Sequence, residues 1–170
     1  LNNDTKTDRN WLKELIYTIK KYNDAGAIGG KTYFENGRLQ STGQIELPNF
    51  EWSDRGFDEE DKGQYDTEKE VESLCNVAIL YRKECLEDIG LLDEDFLFYM
   101  EDIDMALRAK EKKWKFYYTP KSIVYHKYNG TGKLLFPDGP NKIEKEYVER
   151  NRLLLVAKHF PDKLPSAIST

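Results

Sequence analysis

Residues 99–127 read YMEDIDMALRAKEKKWKFYYTPKSIVYHK, and three carboxylates, Glu101, Asp102 and Asp104, fall within the first turns of this stretch. From Glu101 onward, Ile103, Ala106, Leu107 and Ala109 recur at helical spacing, which predicts a helix with one apolar face. Its first turn holds the carboxylates, where the helix dipole favours negative charge. That much is ordinary capping, and Asp104 with Arg108 makes an i,i+4 ion pair. A calcium loop does not fit, because DEDFLFYMEDID lacks the ligand at its fifth position, the central glycine and the closing glutamate. After the helix, WKFYYTP and SIVYHK read as two short strands. Helix and strand alternating in this way make the chain α/β or α+β.

The flanking sequence agrees. TDRNWLKELIYTIKKYND offers Thr7 or Asp8 as an N-cap, followed by Trp11, Leu12, Leu15, Ile16 and Ile19 on one helical face. AGAIGGKTYF suits a buried strand, its glycines permitting close backbone approach. GRLQSTGQIEL predicts a second strand, and the acidic, aromatic segment from Pro48 to Asp66 a long loop. VESLCNVAILYRK reads as the strongest strand, and RKECLEDIG as a helical turn stopped by Gly90. A long helix around NKIEKEYVERNRLLLVAKHF closes the chain. No internal repeat or linker divides it, so one domain over residues 1–170 is expected.

Composition limits the functions. The 170 residues are 39% hydrophobic, enough for one ordinary core. Acidic residues outnumber basic ones, 31 to 26, and the two signs are interspersed, which argues against a nucleic-acid groove or a polybasic membrane patch. Cys75 and Cys85 are too few for a disulfide framework, so both are expected as buried thiols in a reducing cytoplasm. No apolar run approaches the length of a membrane span. The first residue is Leu rather than Met, which leads us to expect that the chain was cut from something longer or processed.

GLLDEDFLFYMEDIDMALRAKEKKWKFYYTPKSIVYHK resembles the second half of bacterial and archaeal family-2 glycosyltransferases, above all the rhamnosyltransferase-like branch. LNNDT at residues 1–5 resembles that family's variant of the DxD metal motif, RGFDEEDKGQYD its acceptor-side loop, and ERNRLLLVAKHF its terminal helix with an RN pair. The ordered series NND, EDID, YH and RN spans essentially the whole chain. The resemblance implies a mixed-sheet GT-A-like fold, here partial. The family's nucleotide-cradling strands precede the metal motif, so the chain would lack that N-terminal half and bind a sugar nucleotide poorly by itself.

Transfer from a nucleoside-diphosphate sugar needs charge neutralisation on the leaving diphosphate and a base for the attacking hydroxyl. By resemblance, Asp4 holds a divalent cation, manganese or magnesium, and Asn2 and Asn3 shape the turn around it. His126 matches a histidine that completes the metal site in some family members, a ligand that favours manganese. Asp102 is the expected base of an inverting displacement, with Glu101 beside it and Asp104 a structural partner. Asn76 stands where the family has glycine, at the donor pocket. Trp52, with Phe50 and Phe57, offers a sugar-stacking surface or else core packing. Lys133, in GTGK at residues 130–133, could reach the diphosphate, although the loop is not a Walker motif. Arg150 and Asn151 match the RN pair. His159 has no such match and is expected at the surface.

The implied partners are a nucleoside-diphosphate sugar and a glycan or lipid-linked acceptor, with no nucleic acid. The implied setting is cell-envelope polysaccharide biosynthesis, in the cytoplasm or peripheral at the inner face of the membrane. Missing strands would leave sheet edges open to self-association. A sugar nucleotidyltransferase and a non-catalytic carbohydrate- or partner-binding module are the alternatives.

Overall fold

The computed structural model describes residues 1–128 and 140–169. Two long parallel strands, β2 (Ala25–Phe34) and β8 (Lys115–His126), form the centre of a mixed six-stranded sheet. Four three-residue strands flank them antiparallel: β1 (Thr5–Thr7) and β6 (Lys69–Val71) on β8, β3 (Leu39–Ser41) and β7 (Ile79–Tyr81) on β2. The expected open edges are therefore three residues long, a length that limits pairing between copies. A separate hairpin joins β4 (Gln44–Glu46) to β5 (Trp52–Asp54). The architecture is α/β with a mixed sheet, as expected.

Alternation along the central strands sorts the two faces. Ile28 and Tyr117 pack with Leu15 of α1 (Trp11–Lys21), whereas their neighbours Ala27 and Phe116 pack with Cys85, Ala106 and Ala109. Cys85 belongs to α2 (Lys83–Ile89), and the two alanines to α3 (Glu101–Glu111). Helices thus cover both faces, which is why β2 carries a nearly continuous buried run rather than alternating polarity. A further cluster of Phe96, Met100, Ile103 and Leu155 ties α3 to α4 (Pro140–His159), which α5 (Leu164–Ile168) follows.

Several boundaries differ from the expected ones. WKFYYTP and SIVYHK are one strand: Gly30 pairs with Thr119 and Lys31 with Ile123, so the residues from Pro120 to Ser122 bulge between them. Pro120 has no N–H to give a ladder, and the bulge absorbs it. GRLQSTGQIEL is two strands, because Gly43 at φ 113° turns the chain out of the main sheet into the hairpin. VESLCNVAILYRK is not one strand either. Only Ile79–Tyr81 pairs in β7 and Lys69–Val71 in β6, and the residues between them form a loop whose Leu74, Val77 and Ala78 are buried without joining the sheet. The 48–66 loop contains a 3-10 turn and β5. In α1, Asn10 is the N-cap and its N–H donates to Asp8 Oδ1, while Leu12 and Ile16 are exposed, so the buried face is narrower than the periodicity predicts. Among the described residues, no helix is long and apolar enough to cross a membrane.

Gly30 sets how closely β8 can pass. A Cβ there would lie 2.2 Å from the Ser122 carbonyl oxygen, a backbone atom that moves only with the bulge. Gly30→Ala should therefore lower the unfolding free energy by about 3 kcal/mol, read from denaturant midpoints at unchanged m-value. An unchanged midpoint would show that the bulge yields freely.

Candidate active site

The chain enters α3 through a strained turn. Leu97, Tyr99 and Met100 all have positive φ, of 57°, 68° and 65°. Non-glycine residues in that region cost about 1–2 kcal/mol each, so something must hold the turn. The holder is Asn151 on α4, fully buried, whose Nδ2 donates to the carbonyls of Phe96, Phe98 and Tyr99 at 2.7–2.8 Å. Arg150 donates to the Asp95 carbonyl and to Asn151 Oδ1. The RN pair thus fixes the turn that delivers Glu101 and Asp102.

Asp102 is 8% exposed and richly bonded. Its Oδ2 accepts from Gln44 Nε2 at 3.1 Å and from the Asn76 backbone N–H at 3.2 Å, and its Oδ1 from the N–H of Ile103 at 2.9 Å. Burial raises its pKa, against the pull of these donors. For Glu101, burial and then the neighbouring Asp102 charge push the carboxyl up to about 7, and its buried Oε2 has no hydrogen-bond partner. A third carboxyl, Asp54 at the end of β5, is pushed up to about 7 by burial, offset in part by Ser41 and reinforced by Asp102. Asp54 Oδ1 also lacks a partner. The three donors favour the charged form of Asp102, whereas the unpartnered oxygens of Glu101 and Asp54 give their charged forms no such support.

The second constellation lies beside it. His126 Nε2 sits 3.0 Å from Asp4 Oδ1, and His126 Nδ1 2.8 Å from Gln40 Oε1. The structure therefore brings together the two residues expected to share a cation. Both neighbours of the ring are oxygens, an arrangement that suits a Gln40 amide turned to present its NH2 to Nδ1, or a cation shared by Nε2 and Asp4. Among the described residues no group of three or more His, Cys, Asp or Glu is placed to hold a metal ion. One carboxylate and one imidazole fit a cation that takes its other ligands from substrate and water. One loop links the two constellations: Val77 O accepts from Asn2 N at 2.8 Å, and the preceding residue, Asn76, caps Asp102.

The remaining expected residues are more scattered. Trp52 packs beside the Phe96–Leu155 cluster, Phe50 against Phe160, and Phe57 against Phe34. Lys133 lies outside the described residues. Arg150 holds the turn, as above. Asp104 is structural, as its spacing predicts, but its partners exceed Arg108: Lys158 at 2.7 Å and His159 at 2.8 Å also reach it. Burial alone would raise its pKa, yet these three partners hold it down at about 2. The His159 side chain is therefore buried against Asp104 instead of lying at the surface, because α4 folds back onto α3. Cys85 is buried and Cys75 half-buried, both free thiols. Sequence reasoning missed Asp54, Gln40 and Gln44, which carry no motif and reach the site only through the β3–β5 turns.

The raised carboxyls set a pH dependence. In the folded chain Glu101 keeps its proton to about pH 7, whereas the unfolded chain releases it near the ordinary glutamate value. Stability from this source is complete at low pH and is lost as pH rises between those values. Asp104 acts oppositely, its contribution being lost only as pH falls toward about 2. Glu101→Gln should match the parent near pH 4 and be more stable by about 2 kcal/mol at pH 8. Parallel stability curves for the two proteins would contradict the assignment.

No protein-family model matches the chain. Over 68 residues it is 31% identical to N-acetylglucosaminyl-diphospho-decaprenol L-rhamnosyltransferase of Mycobacterium tuberculosis, from strains CDC 1551 / Oshkosh and ATCC 25618 / H37Rv alike. The matched stretch takes in 39% of this chain and 22% of that protein, so the chain spans about a fifth of the length of the curated relatives it matches.

Proposed function

We propose that the chain is the acceptor side of a family-2 glycosyltransferase with a GT-A-like fold, transferring a sugar from a nucleoside diphosphate to a glycan or lipid-linked hydroxyl with inversion. The observation that carries this reading is the carboxylate pair at the head of α3. Asp102 accepts from three donors that favour its charged form, and Glu101, with a raised pKa and an unpartnered oxygen, stands next to it. The similarity to a rhamnosyltransferase supports the same class.

In this reading Asp102 takes the proton of the attacking hydroxyl, and protonated Glu101 donates to an acceptor oxygen and orients it. Gln44 and the Asn76 N–H keep Asp102 in one rotamer and stabilise its charge before the acceptor arrives. Asp4 and His126 would hold the divalent cation, which when bound neutralises the leaving diphosphate. A single displacement needs one base, unlike glycoside hydrolysis with its second flanking carboxyl. The donors in this reading are thymidine or uridine diphosphosugars, and the acceptors hydroxyls of glycans with or without a polyprenyl anchor.

The test is acceptor-dependent release of nucleoside diphosphate by the complete natural protein, across those donors, with and without manganese. Release that requires both acceptor and cation is the expected result. Nucleotidyl exchange with a sugar phosphate would transfer the assignment to a nucleotidyltransferase, and carbohydrate binding without turnover to a binding module.

A further inference from the structure

Gln44, whose amide holds Asp102, also lines a cavity of about 450 Å³ between β6 and the end of α3. Its wall holds five cations, Arg55, Lys69, Lys110, Lys113 and Lys115, against the two carboxylates Glu70 and Glu72, in a chain whose net charge is -5. Lys115 is paired with Glu70 and Asp24. The other four make no ion pair among the described residues.

Arg55 is the most telling of them. It is half-buried, lies over the rings of Tyr65 and Tyr118 at 4.8 and 5.1 Å, and donates Nη2 to the Thr42 carbonyl at 2.5 Å. Its Nε is buried without an acceptor, and no carboxylate among the described residues balances its charge. A desolvated guanidinium without a counter-charge is costly, and stacking on two rings offsets only part of that. Trp114 and Phe116 add an aromatic wall.

We propose that this cavity is an anion site for a phosphate or diphosphate group, distinct from the Asp4–His126 pair and adjoining Asp102 through Gln44. A single carboxylate would leave most of the four cations unbalanced, whereas a multiply charged phosphate can meet the Arg55 fork and the lysine ammoniums together. The group is either a free phosphate compound or an anionic lipid headgroup, and both present the same oxygens.

The test is a titration of sodium pyrophosphate into the 15N-labelled chain at low salt, followed at the Trp114 indole and the Lys110 and Lys113 amides. Saturable shifts are expected. Because Lys110 and Lys113 are exposed, Lys110→Glu with Lys113→Glu should leave the fold intact and weaken binding by about tenfold or more. The matched double change Lys13→Glu with Lys20→Glu, on the exposed surface of α1, should change it by about twofold at most. A parallel arm uses phosphatidylcholine vesicles with and without phosphatidic acid. Binding to the acidic vesicles that is tighter than to pyrophosphate, and lost in the cavity variant, assigns a lipid headgroup. Pyrophosphate binding without vesicle binding assigns a free phosphate. Absence of saturation in both arms, or equal loss in both double variants, would overturn the site.

Discussion

Asp102→Asn is expected to slow sugar transfer by about 10²–10⁴-fold in the complete natural protein while leaving donor binding nearly unchanged. The amide keeps the shape of the carboxylate and its oxygen can still accept from Gln44 Nε2 and the Asn76 N–H, giving up only the contact from the Ile103 N–H, so most of the local frame survives. What it cannot do is take a proton from a hydroxyl at neutral pH. The loss should therefore appear in kcat, measured at saturating donor and acceptor. Turnover near that of the parent would move the base to Glu101, the other carboxyl of the pair with a raised pKa.

The largest stability effect is expected at Asn151. Asn151→Asp preserves volume but replaces the NH2 that three carbonyls share with an oxygen that repels them, in a fully buried position. A loss of about 3–4 kcal/mol in unfolding free energy is predicted, larger than for ordinary core substitutions of equal volume. With the donor gone, the positive-φ turn at Leu97, Tyr99 and Met100 has less to hold it, and Glu101 and Asp102 should lose their fixed placement. Denaturant unfolding measures the first effect. A destabilisation below about 1 kcal/mol would mean that the turn is held by its own packing, chiefly Phe96 and Met100.

What could be read from the sequence was what depends on local spacing. The helix from Glu101, the buried strand from Ala25 and the stop at Gly90 are all where periodicity and glycine place them. The carboxylates could be identified because acidic residues at a helix start stand out against an apolar period. The Asp4–His126 approach, in contrast, follows from family resemblance; no spacing argument joins residues 122 positions apart.

The unread part is long-range. Asp54 sits in a three-residue strand with no pattern, and only the turn at Gly43 and the β4–β5 hairpin carry it to Asp102. Gln40 and Gln44 are ordinary polar residues until the sheet places them against His126 and Asp102. The apolar run through Leu74 to Leu80 reads as strand, yet its middle is drawn out of the sheet. There the Asn76 N–H satisfies a carboxylate and Val77 O accepts from Asn2. His159 has no sequence cue for burial, because its partner Asp104 lies on another helix.

A single displacement with Asp102 as the only base leaves its mark on the anomeric configuration of the product. Proton NMR of the first-formed glycoside, made by the complete natural protein from an anomerically defined sugar nucleotide, reads that configuration before any equilibration. Inversion relative to the donor is the predicted result. Retention would contradict it, since retention requires either a second displacement or attack from the face of the departing diphosphate, and neither is served by one ionised carboxylate at the head of α3.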